Sequence, residues 1–147
     1  MNYKVRRNIK VIIQKAKESR NLFMTLNNSG SYRDRIKLIR ERAQFFQKLQ
    51  YELTRILKTN LGKDKKVSLE RYKTSFYNED LLLDTVSQKT FYSVIQQGDS
   101  NCLSILKETL KEKNIPKSID RIINNLIENI SSTKNVNKVR FVPENLK

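Results

Sequence analysis

The sequence predicts an all-α fold, an antiparallel four-helix bundle made of two helical hairpins joined by a crossover. Three observations carry that expectation. Apolar residues recur at spacings of three and four along most of the chain, the period of one helical face. Only three glycines and two prolines occur in 147 residues, too few for the turns of a β-sandwich or the loops of a dinucleotide fold. Charged residues make up 31% and hydrophobic residues 37%, a balance that suits slender amphipathic helices better than a thick α/β core. The length is that of one domain. Residues 1–147 are therefore read as a single helical domain, with a core from about 5 to 130 and a C-terminal tail from about 141.

The first helix is expected from about Val5 to Leu26, where Val5, Ile9, Ile12, Ile13, Ala16, Phe23 and Leu26 form one stripe. Asn27-Asn28-Ser29-Gly30 ends it, because glycine and asparagine take up the left-handed conformation found past helix ends. A connection this short forces the next helix to run antiparallel. Ser31 and Asp34 have the spacing of a capping box for that second helix. Its stripe is the most regular in the chain: Ile36, Ile39, Ala43, Phe46, Leu49, Leu53, Ile56 and Leu57. It is expected to end near Asn60 to Gly62.

Residues 62–79 read as a crossover holding one short helix, with Tyr72, Phe76 and Tyr77 lying over the bundle. A third helix is expected from about Asp80 to Lys113, with Leu82, Val86, Val94, Ile95, Cys102, Leu106 and Leu110 inward. Gly98 in its middle implies a kink or a close contact, since glycine inside a helix costs about 0.5–1 kcal/mol relative to alanine. Asn114-Ile115-Pro116-Lys117 punctuates the chain, and Pro116 suits a first helical turn. Ile119, Ile122, Ile123, Leu126, Ile127 and Ile130 mark the fourth helix.

What is missing excludes much chemistry. The chain has no histidine and one cysteine. That removes Ser-His-Asp and Cys-His nucleophile systems, histidine-ligated zinc or haem, and iron–sulfur sites. Asn60-Leu61-Gly62-Lys63 lacks the first glycine and the preceding strand of a phosphate loop. Cys102, set among Leu103, Ile105 and Leu106, is expected to be an inert core thiol. No catalytic residue, cofactor or metal site is expected, and the chain is read as not an enzyme. No apolar run approaches the roughly 20 residues of a membrane span, and the basic start lacks the apolar stretch of a signal peptide. A cytoplasmic protein without a membrane partner is the default expectation.

The formal net charge is +15, and it is unevenly placed. Residues 1–60 carry 15 Lys/Arg against 4 Asp/Glu, a net of +11. Such a half either attracts polyanions by its field or is a lysine-rich solvated surface, and composition favours neither over the other. The candidate contacts are Arg33, Arg35, Lys37 and Arg40, with Arg6, Arg7, Lys10 and Arg42 as further cations. Arg33, Lys37 and Arg40 share a three-to-four spacing and hence an outward face. No base-reading signature accompanies them, so binding would be sequence-independent. Tyr32, Tyr51 and Tyr72 are available to stack on bases, but the better expectation for each is a half-buried helix position.

The run Arg35 to Leu53, then Gln97-Gly98-Asp99-Ser100, Leu106 to Leu110, Asn114-Ile115-Pro116 and a final helix resemble the ferritin-like superfamily. Within it the chain is similar to a family of short bacterial four-helix-bundle proteins of unassigned function, over roughly residues 9–140. The resemblance implies a ferritin-like topology and a place to look for a di-metal site. Such sites use a glutamate from each of two helices and Glu-x-x-His pairs from the other two. Glu18 matches the first-helix ligand. Glu52 is followed at the histidine position by Arg55 and Glu128 by Ser131, so both pairs are degenerate. Arg55 is expected to pair with Glu52 where a metal would sit. Two readings follow. One is a non-catalytic, metal-free ferritin-like bundle that works by interaction, including self-association. The other is sequence-independent binding of nucleic acid or another polyanion through the basic first hairpin.

Overall fold

A computed structural model describes residues 3–61, 75–112 and 115–130, and every regular element among them is helical. Helix α1 spans Tyr3–Ser29, a 3₁₀ turn spans Arg33–Arg35, and α2 spans Ile36–Leu61. After the crossover come a short α3, Glu79–Leu83, a long α4, Gln88–Leu110, and α5 over 117–130. The side chains of Asn60 and Leu61, the crossover residues 62–74, and the tail from 131 lie outside the described residues, and with them the expectations placed there.

The α1 stripe forms as expected: Val5, Ile9, Ile12, Ile13, Ala16, Phe23 and Leu26 are all buried. Gly30 ends the helix at φ 70°, a left-handed geometry that glycine adopts without steric cost. The Ser31 capping box does not form. Ser31 instead shares a hydrogen bond with Ser29 Oγ, and the residue before the 3₁₀ turn is Tyr32, with no side-chain cap. The reason is that Tyr32 is needed inside, at 1% exposure. Its hydroxyl donates to Leu82 O at 2.8 Å and accepts from Val86 N–H at 2.9 Å. One phenol thus ties the first hairpin's turn to the break between α3 and α4.

That break corrects the expected unbroken helix from Asp80 to Lys113. Asn78 caps α3 by accepting from Leu81 N–H, and Ser87 caps α4 by accepting from Thr90 N–H. Between them Thr85 takes φ 52°, a conformation that costs a β-branched residue of order 1–3 kcal/mol. Two N-caps nine residues apart divided the stripe without disturbing its period, so periodicity alone did not reveal the break.

Helices α2 and α4 both pack on α1, yet no pair of their Cα atoms lies within 8 Å. The space between is filled by residues 75–77, which are buried in the core instead of lying over it. Their backbone groups are satisfied by side chains, as burial demands. Phe76 N–H donates to Ser19 Oγ, Asn101 Nδ2 donates to Phe76 O, and Tyr77 N–H donates to Ser75 Oγ. Phe23, Phe46, Phe76 and Tyr77 form one aromatic cluster with centroid separations of 4.9–6.3 Å. Ile119, Ile123, Leu126 and Ile130 of α5 belong to the same core.

Gly98 is where the Tyr77 ring lies flush on α4. A Cβ there would fall inside that ring, so Gly98→Ala must push Tyr77 aside. Overpacking of this kind costs about 1–3 kcal/mol, which outweighs alanine's helix advantage of about 0.5–1 kcal/mol. The expected outcome is a lower urea midpoint for Gly98→Ala; a higher midpoint would show that α4 tolerates the methyl and that the ring contact is loose.

Candidate functional site

The most unusual chemistry lies at the centre. Arg42 on α2 and Asp99 on α4 are 3% and 0% exposed. The guanidinium meets the carboxylate in a fork, Nε to Oδ1 at 3.1 Å and Nη2 to Oδ2 at 2.6 Å. Tyr77 Oη donates a third hydrogen bond to Oδ1 at 2.6 Å. Bidentate geometry needs the planar fork of arginine, which lysine lacks. The arginine's length also lets it span the gap between helices whose backbones stay apart. Arg42 is therefore removed from the candidate polyanion-binding cations among which its charge had placed it.

These groups are shielded from water by the aromatic cluster, and burial controls their protonation. Burial, with the Asp99 charge adding to it, pushes the Tyr77 phenol well above its ordinary value of 10.0. The Cys102 thiol, fully buried beside Asp99, is likewise pushed far above its ordinary 9.0, first by burial and then by that charge. Both groups stay protonated in the folded state where the unfolded chain ionises. Their stabilising contribution is whole below those ordinary values and is lost as pH rises toward the folded ones. The unfolding free energy is expected to fall above pH 9, then more steeply above pH 10, by about 1.4 kcal/mol per pH unit for each group. Urea titrations between pH 8 and 11 check this. Tyr77→Phe removes the phenol's share of the slope, and an unchanged slope in that variant contradicts the assignment.

A cleft of about 500 Å³ bounded by Asn78, Leu81, Val94 and Gln97 reaches Tyr77 and Gly98, and neither Arg42 nor Asp99 lines it. The Asp99 carboxylate thus spends its acceptor capacity on three internal donors. A di-metal centre does not fit these residues. Glu18 and Glu52 are half-buried on α1 and α2, and Glu128 is exposed on α5. Among the described residues no three His, Cys, Asp or Glu side chains come together as ligands. The expected Glu52–Arg55 ion pair does not form among them. The internal ion pair is Arg42–Asp99 instead.

The second candidate is the outer face of the first hairpin. Arg33, Lys37 and Arg40 are exposed together, although Arg40 Nε also donates to Asn27 Oδ1 at 3.1 Å. Arg35 is not part of that face. Its side chain is 11% exposed and pairs with Asp34 at 3.4 Å. Its guanidinium lies over the Tyr32 and Phe91 rings, 5.6 and 5.2 Å from their centroids. Arg35 therefore seals the Tyr32 anchor, a cation–π use of the charge. At the chain start Arg7 is exposed, while Arg6 and Lys10 are half-buried.

Further along α2 the exposed face continues through Gln44, Gln47, Lys48, Tyr51, Arg55 and Lys58. With Arg20 of α1, these residues line a groove of about 740 Å³, and no carboxylate lines it among the described residues. From Lys37 to Lys58 the face is roughly 31 Å long at 1.5 Å per residue, and its one exposed carboxylate is Glu41. Tyr51 is 69% exposed, whereas Tyr32 is wholly structural; Tyr72 lies outside the described residues. Two buried polar atoms beside the groove, Arg20 Nε and Gln50 Oε1, have no hydrogen-bond partner among the described residues.

The Arg42–Asp99 pair and this groove were both missed by sequence reasoning, though the first left a signal. Arg42 falls between Ile39 and Phe46, and Asp99 between Ile95 and Cys102, each on a buried stripe at helical spacing. No helix among the described residues is long and apolar enough to cross a membrane. No protein-family model matches the chain, and no curated protein or solved structure matches it either.

Proposed function

We propose that this protein binds nucleic acid or another polyanion, without reading base sequence, along the outer face of its first helical hairpin. The observation that carries the reading is the groove of Arg20, Lys48, Arg55 and Lys58, whose lining among the described residues holds four cations and no carboxylate on one wall of α1 and α2. In a concave site lined by cations their potentials add and draw in phosphate.

The four long helices are read as an antiparallel bundle in ferritin-like order, and the chain as a non-catalytic relative of that architecture. Support comes from the helix order and from the position of Arg42–Asp99, where a buried guanidinium and carboxylate fill the centre between α2 and α4. On this reading the inside supplies rigidity and the outside does the work.

The test is fluorescence anisotropy with random-sequence DNA and RNA at low and moderate salt. Tight binding at low salt that weakens steeply as salt is added is the expected result, since each phosphate contact releases counterions. Absence of binding at low salt would remove the reading and leave self-association or a protein partner to be sought.

A further inference from the structure

We propose that the groove around Tyr51 takes single-stranded nucleic acid, with one unpaired base stacked on the Tyr51 ring and the flanking phosphates held by Lys48, Arg55 and Lys58. This rests on the polyanion reading and deepens it by naming the ligand's form. Polyanion binding alone requires cations and nothing more. The groove contains other chemistry.

Tyr51 stands in the middle of the groove's α2 wall. It is 69% exposed, and among the described residues it has no aromatic neighbour, whereas Tyr32, Tyr77 and Tyr92 are all buried. Lys48 lies three residues before it and Arg55 and Lys58 four and seven after, positions on the same helical face. From Lys48 to Arg55 the rise is about 10 Å, the length of about three stacked nucleotides at 3.4 Å each. Cations placed on both sides of an open ring can therefore hold the phosphates on both sides of a stacked base.

The groove also holds amide groups able to meet a base edge. Gln44, Gln47 and Gln50 line it, and Gln50 Oε1 is buried without a partner, as is Arg20 Nε. Each is a polar atom whose desolvation is uncompensated by the protein. The exposed Gln44 and Gln47 amides are the groups placed to meet the edge of a stacked base. A duplex keeps its bases stacked internally and offers this site only phosphate, and an inorganic polyphosphate has no ring to stack. Proteins that bind single strands without sequence preference combine such a cationic groove with an aromatic platform.

The full chain should be titrated with a labelled unstructured 20-nucleotide single strand and with a duplex of the same length. The variants are Tyr51→Ala, Tyr51→Phe and Lys48→Gln/Arg55→Gln, each checked for an unchanged urea midpoint. Tyr51→Ala is expected to weaken the single strand about tenfold while changing duplex affinity less than twofold, and Tyr51→Phe to retain the single-strand affinity. Tyr51→Ala leaves the salt slope unchanged, whereas Lys48→Gln/Arg55→Gln lowers it by roughly 1.4, at 0.7 per lost phosphate contact. If both nucleic acids bind and Tyr51→Ala weakens neither, the stacking site is wrong and the polyanion reading stands. If polyphosphate displaces the single strand as readily as unlabelled strand does, phosphate alone is recognised and the inference falls. If nothing binds at low salt, the polyanion reading itself fails.

Discussion

Asp99→Ala is expected to lower the unfolding free energy by about 3–5 kcal/mol, among the largest single effects in this chain. The substitution leaves the Arg42 guanidinium charged, dry and without its carboxylate, and takes away the acceptor of the Tyr77 hydroxyl. Domains of this kind are stable by about 5–15 kcal/mol in total, so the loss removes a large share of the variant's stability. Arg42→Ala should cost a similar amount by stranding the Asp99 charge. Replacing all three members with apolar groups of similar size, as Arg42→Met, Asp99→Leu and Tyr77→Phe together, is expected to recover most of the loss. Buried ion pairs are costly to break but replaceable as a unit. Urea denaturation of the three proteins decides the matter. Single variants as stable as the parent would mean that the centre is hydrated and the pair is weak.

The second large effect is on binding. Reversing Lys48, Arg55 and Lys58 to glutamate turns a groove with four cations into one with a single cation, Arg20, and three carboxylates. A change of six charge units is expected to lower affinity for random-sequence nucleic acid more than a hundredfold at about 0.1 M salt, because each lost phosphate contact also loses its counterion release. Lys48 and Arg55 are exposed and in no ion pair among the described residues, so stability should move by less than about 1 kcal/mol. Reversal of Arg35 is a contrasting control. It removes the guanidinium that covers Tyr32 and Phe91, and it is expected to reduce stability with little effect on binding. Equal effects of the two changes on affinity would place the site at the hairpin turn instead of the groove.

The helices were legible because each carries its apolar stripe at full length, and Gly30 gives an unambiguous stop. The stretch from Asp80 to Lys113 was misread for a physical reason. Tyr32, some fifty residues away, captures Leu82 O and Val86 N–H, and a tertiary hydrogen bond of that kind leaves no mark on local period. Phe76 and Tyr77 were expected on the outside because they sit in an irregular segment. They are inside because Ser19, Ser75 and Asn101 satisfy that segment's backbone groups.

The candidate site was legible only in its sign. An excess of cations in the first sixty residues pointed to the hairpin that carries the groove, but charge alone did not separate Arg35 and Arg42, which turn inward, from Lys48, Arg55 and Lys58, which remain in water. The inward pair had in fact declared itself. A lone charge on an apolar stripe, Arg42 between Ile39 and Phe46, calls for an opposite charge on another stripe, and Asp99 between Ile95 and Cys102 is that partner. The groove could not be read at all, since Arg20 reaches it from a different helix.

Ultraviolet cross-linking of the full chain to an unstructured RNA, followed by peptide mapping, tests the central claim most directly. The account predicts cross-links concentrated on the α2 stretch from Gln44 to Lys58, with Tyr51 the foremost position and loss of signal as salt is raised. Cross-links concentrated on α4 or α5, or spread evenly over the lysines of the whole chain, would contradict it.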